Sequence, residues 1–118
     1  MGEAIAAEYL KRRKHTLVDT NFVRKTGEID VITLENDTLH FVEVKSVLVD
    51  EFPVVQGIDD AYDPSVNIHE AKVKKVARTA EWFVAEQEWE GEWQVDGCLV
   101  WLRRRDGMAR VSFLEQIV

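Results

Sequence analysis

Cysteine, proline and glycine are scarce in this 118-residue chain, with one, two and six copies. A single cysteine, Cys98, excludes an internal disulfide framework and fits a reducing, cytoplasmic setting. It lies in the apolar run 95–100, where a buried inert thiol is expected rather than a nucleophile. No stretch approaches the roughly 18 consecutive apolar residues of a membrane span, and no charged-then-apolar leader is expected. A phosphate-cradling glycine loop, a nucleophile elbow and a Cys–His pairing are all missing, which removes several enzyme classes. Positive charge is also short. Fifteen Lys and Arg face 22 Asp and Glu, for a net charge of −7.

That deficit argues against tight, nonspecific duplex binding, which rests on phosphate neutralisation by Lys and Arg. The acid is unevenly placed, however, at Asp50-Glu51, Asp59-Asp60, Asp63 and 86–92. Basic clusters remain at Lys11–Lys14, Arg24-Lys25, Lys72–Arg78 and Arg103–Arg105, and a bound divalent cation would offset some carboxylates. With 46% hydrophobic and 31% charged residues, the composition is that of a globular protein, expected as one domain over 1–118.

Periodicity divides the chain into seven elements. Residues 2–13 carry an apolar stripe of Ala4, Ile5, Ala7, Tyr9 and Leu10 and read as a helix. Three β-type runs follow at 16–23, 28–34 and 39–48, separated by turn chemistry at Thr26-Gly27 and Glu35-Asn36-Asp37. Both prolines fall in 49–66, which reads as a long loop. Asn67 and Glu70 form a capping-box pattern ahead of a main helix over 68–88, whose buried face is Val73, Val76, Ala77, Ala80, Phe83 and Val84. Two strands, 93–102 and 109–113, close the chain around a turn at Arg105-Asp106-Gly107. The order predicts an α/β or α+β fold, with a five-stranded sheet flanked by two main helices, and α/β is the expectation.

The chemically telling stretch is Gly27-Glu28-Ile29-Asp30-Val31-Ile32 with Phe41-Val42-Glu43-Val44-Lys45. Strand residues i and i+2 share a face, so Glu43 and Lys45 emerge together, and a hairpin brings Asp30 to them. Two carboxylates at adjacent strand ends suit Mg²⁺ or Mn²⁺, with the Val44 carbonyl as a further oxygen ligand and Lys45 placed to orient or deprotonate water. An E-x-K triplet alone is weak, since roughly one chain in two or three of this size carries one by chance. Charges inside two apolar strands are harder to dismiss. Spacing alone leaves two readings open: a metal-dependent phosphodiesterase site, or three surface charges.

The same residues, with Gly2-Glu3, Ala6 and Leu10, with Asn21 six residues before Gly27, with Lys72 and with Asp96 opening the fourth strand, resemble the YraN-like family of small bacterial proteins. That family is placed in the PD-(D/E)xK nuclease superfamily and is similar to archaeal Holliday-junction resolvases. The resemblance implies a restriction-endonuclease-like mixed sheet and a metal-dependent endonuclease acting on DNA, including branched or flapped forms. It further implies Asp30 and Glu43 as metal ligands, Lys45 as the catalytic lysine and Glu3 as a helper, with Lys72, Asn21 and Arg24 towards substrate. A homodimer follows only by analogy with the resolvases. Val47 and Val23 stand where the family tends to have arginines, and Arg24 is the nearest substitute for the second. Both absences point to weaker phosphate binding. The alternative is therefore a weak or inactive nuclease fold that binds nucleic acid or protein.

Other residues carry less. Glu28 has the parity to join the site but reads as a solvated strand end. His15, His40 and His69 form no metal set by spacing, and His40 has the wrong parity for Glu43, so zinc is not expected. Trp82, Trp89, Trp93 and Trp101 are expected between the main helix and the sheet.

Overall fold

A computed structural model describes residues 2–52 and 70–117. Helix α1 spans Gly2–Arg12, followed by strands β1 Thr16–Arg24, β2 Gly27–Glu35 and β3 Thr38–Val49. Helix α2 Glu70–Glu86 comes next, then β4 Glu92–Arg103 and β5 Ala109–Leu114. The Asn67 cap and residues 53–66 of the expected loop lie outside the described residues.

The five strands form one sheet in chain order. β1–β2, β2–β3 and β4–β5 pair antiparallel, while β3 and β4 run parallel, with α2 between them in sequence. This is the five-stranded sheet with two helices that the element order predicts, in the mixed, restriction-endonuclease-like arrangement that the resemblance implies. The β2–β3 hairpin turns at Asn36 and Asp37, with φ of 51° and 59°. Two consecutive left-handed residues are the requirement of a tight hairpin turn, and Asn and Asp tolerate that region best among residues with a Cβ.

Each helix covers one face. On the α2 side, Val73, Val76, Ala80 and Phe83 pack on Phe22, Ile29, Ile32, Leu39, Phe41 and Val95. On the α1 side, Ala6 and Leu10 pack on Val31, Val42, Cys98 and Val100. Each fully buried large side chain contributes about 1.5–3 kcal/mol relative to exposure, so the two layers anchor the sheet centre. The tryptophans divide differently from expectation. Trp89 and Trp93 do pack beneath α2, whereas Trp82 is exposed and Trp101 is buried in a third cluster with Leu99, Val47 and Val49. Trp82 falls outside the α2 stripe of Val76, Ala80 and Phe83, and Trp101 lies at the far end of β4.

One irregularity matters for function. Ile29 and Ile32 both join the α2-side core, while Val31 between them faces α1. Strict alternation would place residues 29 and 31 on one face. The strand therefore changes face at Asp30, and the β2–β3 ladder ends beside it at the Val31–Val42 pair.

Candidate active site

Beyond Val31 and Val42 the two strands separate, and side chains take over the pairing. Val44 donates its backbone N–H to Asp30 Oδ2 at 2.8 Å. A strand residue turns its N–H and C=O towards the same edge, so the Val44 carbonyl also faces the Asp30 side. Glu43, one residue earlier, shares the parity of Phe41 and projects towards α2. There it is 2% exposed, and its Oε1 lies 2.5 Å from Lys72 Nζ in the first turn of α2. A cleft of about 440 Å³ opens over the pair, lined by Gly27, Glu28, Asp30, Glu43, Ala71, Lys72, Lys75 and Val76.

The electrostatics of this cleft are unusual for carboxylates. Burial raises the Asp30 pKa; the Val44 N–H opposes it, and the negative charge of Glu3 adds to it. Burial likewise raises Glu43, the Lys72 ammonium opposes it, and neighbouring Asp30 pushes it up further. Both groups end above the ordinary carboxylate range. Two acids that destabilise each other's charge are relieved by a proton or by a cation. Lys72, in return, is held protonated by its hydrogen bond to Glu43.

The other expected residues are placed unequally. Lys45 follows Glu43 by two and shares its parity, and it is exposed at the sheet surface. Glu3 is half-buried, and its charge is felt at Asp30. Gly2 explains how α1 comes so near: a Cβ there would collide with Ser46 Oγ and lie 3.5 Å from Val44 Cγ1. Asn21 has a φ of 52° and lies between the Thr20–Val31 and Phe22–Ile29 pairs that also bracket Asp30. Asparagine accepts this conformation more readily than most residues with a Cβ. Arg24 lies elsewhere. Its guanidinium makes a bidentate contact with Glu86, at 2.7 and 2.6 Å, and stacks 4.1 Å over Phe22. Glu86 is about 21 Å along α2 from Lys72 at 1.5 Å per residue. Arg24 is therefore not joined to the carboxylate cleft.

A second polar cluster, which spacing does not group, lies on the α1 side near the β2–β3 hairpin. His15 Nδ1 is 2.7 Å from Thr33 Oγ1, and His40 Nδ1 is 2.6 Å from Asp96 Oδ2. Asp96 lies within β4 rather than opening it, is fully buried, and also accepts from Gln94 Nε2 and the Gln116 N–H. Glu35 Oε1 is 3.3 Å from His40 Nε2 without the alignment of a hydrogen bond. His15, Glu35 and His40 each turn one possible ligand atom into a space where all lie within 4.8 Å of one another. The expectation that the histidines form no metal set is thus corrected for His15 and His40, which with Glu35 could hold an ion, because a helix end and a hairpin, distant in sequence, converge here. The parity argument holds, since His40 and Glu43 serve opposite faces. A histidine inside the apolar run 39–44 was the available signal.

Comparisons with known proteins cover most of the chain. A family model described as "Uncharacterised protein family UPF0102" matches residues 2–107. A UPF0102 protein of Campylobacter fetus subsp. fetus is 30% identical over 112 residues, covering 95% of this chain and 90% of the relative. One from Helicobacter pylori (strain HPAG1) is 32% identical, covering 84% and 76%. Another from Campylobacter lari is 34% identical, covering 80% and 75%.

Proposed function

The chain belongs to protein family UPF0102, and we propose that it is a divalent-metal-dependent endonuclease that hydrolyses phosphodiester bonds in DNA. The observation that carries this reading is the pair Asp30 and Glu43, two carboxylates with raised pKa values at the point where β2 and β3 part. A pair of like charges with one member buried and the other half-buried is costly unless a cation or a proton completes it. An all-oxygen set of Asp30, Glu43 and the Val44 carbonyl suits Mg²⁺ or Mn²⁺ and leaves positions open for water and phosphate.

The bound ion would neutralise charge on the phosphate and acidify a water. The chain's own residues do the rest. Lys45, on the face of Glu43, orients the attacking water or takes its proton. Glu3 adds a carboxylate at the Asp30 side. Lys72 is an exposed cation already at the cleft, free to exchange Glu43 for a phosphate oxygen once another cation satisfies that carboxylate. Lys75 lines the same opening. The likeness to junction resolvases favours branched or flapped DNA, and a two-fold-symmetric substrate would be met by a homodimer.

A second reading has its own support. Lys72 already occupies the cation position on Glu43, Arg24 is engaged by Glu86, and the net charge is −7. These features favour a nuclease fold that binds nucleic acid or protein without cutting. The deciding experiment incubates the protein with Mn²⁺ or Mg²⁺ and single-stranded, duplex, flap and four-way-junction DNA, beside Asp30→Ala and Lys45→Ala. Metal-dependent cutting lost in both variants supports the enzyme. No cutting, or equal cutting by the variants, sinks it.

A further inference from the structure

We propose that His15, Glu35 and His40 form a second metal site, selective for a borderline transition ion of the Zn²⁺ class and separate from the carboxylate cleft. Their candidate ligand atoms lie within 4.8 Å of one another. A tetrahedral ion with bonds near 2.0–2.2 Å needs ligand atoms about 3.3–3.6 Å apart. Glu35 Oε1 already stands 3.3 Å from His40 Nε2, so the remaining closure is between His15 and that pair, and the partly exposed Glu35 side chain can move with it.

The second observation is an unsatisfied atom. His40 is 1% exposed, and its Nε2 has no hydrogen-bond partner among the described residues. Buried polar atoms are nearly always paired, so a nitrogen 3.3 Å from the Glu35 carboxylate but not aligned with it needs an explanation. A protonated His40 shared between Asp96 and Glu35 would account for Nδ1 and leave Nε2 misaligned. A metal ion gives that nitrogen its partner.

The surroundings are those of a ligand set. In metal sites, a ligating histidine commonly donates its other ring N–H to a carboxylate or similar acceptor, which fixes the tautomer. Here Asp96 stands behind His40 Nδ1 and Thr33 behind His15 Nδ1. Asp96 is itself held by Gln94 and by the Gln116 N–H, while Asn36 Nδ2 holds Glu35 Oε2 at 2.7 Å. The backbone positions His15 just as firmly. Lys14 ends α1 with a φ of 69°, and the His15 N–H donates to Leu10 O at 2.9 Å. Two imidazoles with one carboxylate select Zn²⁺ or its neighbours over Mg²⁺, which prefers oxygen ligands in octahedral geometry. Three protein ligands would leave a fourth position for water. Bound metal would pin the C-terminal end of α1 to the β2–β3 hairpin.

The test is titration of the full-length metal-free protein with Co²⁺, read by visible d–d absorption, and with Zn²⁺, read by calorimetry. The expected result is one saturable equivalent giving the intense bands of tetrahedral Co²⁺, displaced by Zn²⁺ and not by excess Mg²⁺. His40→Gln and Glu35→Gln should each weaken binding by at least about tenfold, while His69→Gln and Asp30→Asn leave it unchanged. Glu35 is partly exposed, so its variant keeps the test valid even where His40→Gln fails to fold. Absence of saturable binding, persistence of tight binding in Glu35→Gln, or its loss in Asp30→Asn would overturn the proposal. His40→Gln and Glu35→Gln leave the carboxylate cleft intact, so failure here is distinguishable from failure of the nuclease reading, which is read by DNA cleavage in Mg²⁺ or Mn²⁺.

Discussion

Lys72 Nζ lies 2.5 Å from Glu43 Oε1, so an exposed cation on α2 closes over a carboxylate that is itself almost inaccessible. On the proposed reading the ammonium stands where a divalent ion would bind, and the two would compete for the same oxygen. Lys72→Ala should therefore tighten Mn²⁺ binding. The gain is on the order of a few-fold, because Lys72 is more than half exposed and solvent screens its charge. It is read from the Mn²⁺-dependent rise in melting temperature, which should be larger in the variant than in the wild type. A smaller rise would mean that Lys72 helps to hold the ion rather than competing with it.

The raised pKa values of Asp30 and Glu43 set a pH dependence. The folded protein holds these protons more tightly than the unfolded chain, whose ordinary values are 3.8 and 4.5. Between those values and the raised folded ones the native state binds more protons, so stability falls as pH rises through that window. Asp30→Asn removes one charge and relieves Glu43, and its neutral oxygen can still accept from the Val44 N–H. In EDTA the variant should melt above the wild type at pH 7, with the difference shrinking towards zero below pH 3.8. Added Mn²⁺ should reverse the order at pH 7. An equal difference at both pH values would refute the coupling.

The fold was legible because its signals are local. Asn36-Asp37 marks a tight turn, Val73–Phe83 marks one helical face, and the apolar runs of β2 and β3 read directly as strands. Asp30 and Glu43 were legible for a related reason: charges inside apolar strands stand out. The limits are equally physical. Alternation could not reveal that β2 changes face at Asp30. Nothing in sequence spacing unites His15, behind a helix end, with Glu35 and His40 across a hairpin. Arg24 looked available for phosphate, yet Glu86, 62 residues away, engages it.

Phe41 tests the frame that holds the site. Its ring is fully buried, with edge contacts to Phe83 at 5.7 Å and Trp93 at 5.6 Å. It precedes Glu43 by two on the same face, so a cavity here loosens the floor of the cleft. Phe41→Ala should lower the unfolding free energy by about 3–5 kcal/mol, measured by urea denaturation. A loss below about 1 kcal/mol would show that the two sides of the sheet collapse to fill the void.

Cys98 should be chemically silent. It is fully buried in the α1-side core, and burial pushes its thiol pKa up to about 12. The thiolate is the reactive form, so an aromatic disulfide reagent at pH 8 should leave the native protein unlabelled and modify one thiol after denaturation. Rapid native labelling would mean that the α1 layer opens readily.

Lys45 and Asp30 are expected to fail in different ways, which separates chemistry from metal binding. On the proposed reading Asp30 contributes a ligand oxygen, so Asp30→Ala should abolish cleavage together with the Mn²⁺-dependent rise in melting temperature. Lys45 projects from the same strand as Glu43 but is exposed, and on the proposed reading it would act on water or phosphate rather than on the ion. Lys45→Ala should lower the cleavage rate by about 100-fold or more, the usual loss for a proton-transfer group. It should leave the Mn²⁺ effect on melting intact. If Lys45→Ala also erased that effect, its role would be to shape the metal site. If it cut DNA at the wild-type rate, the lysine would be a surface charge and Glu43 the functional end of the strand.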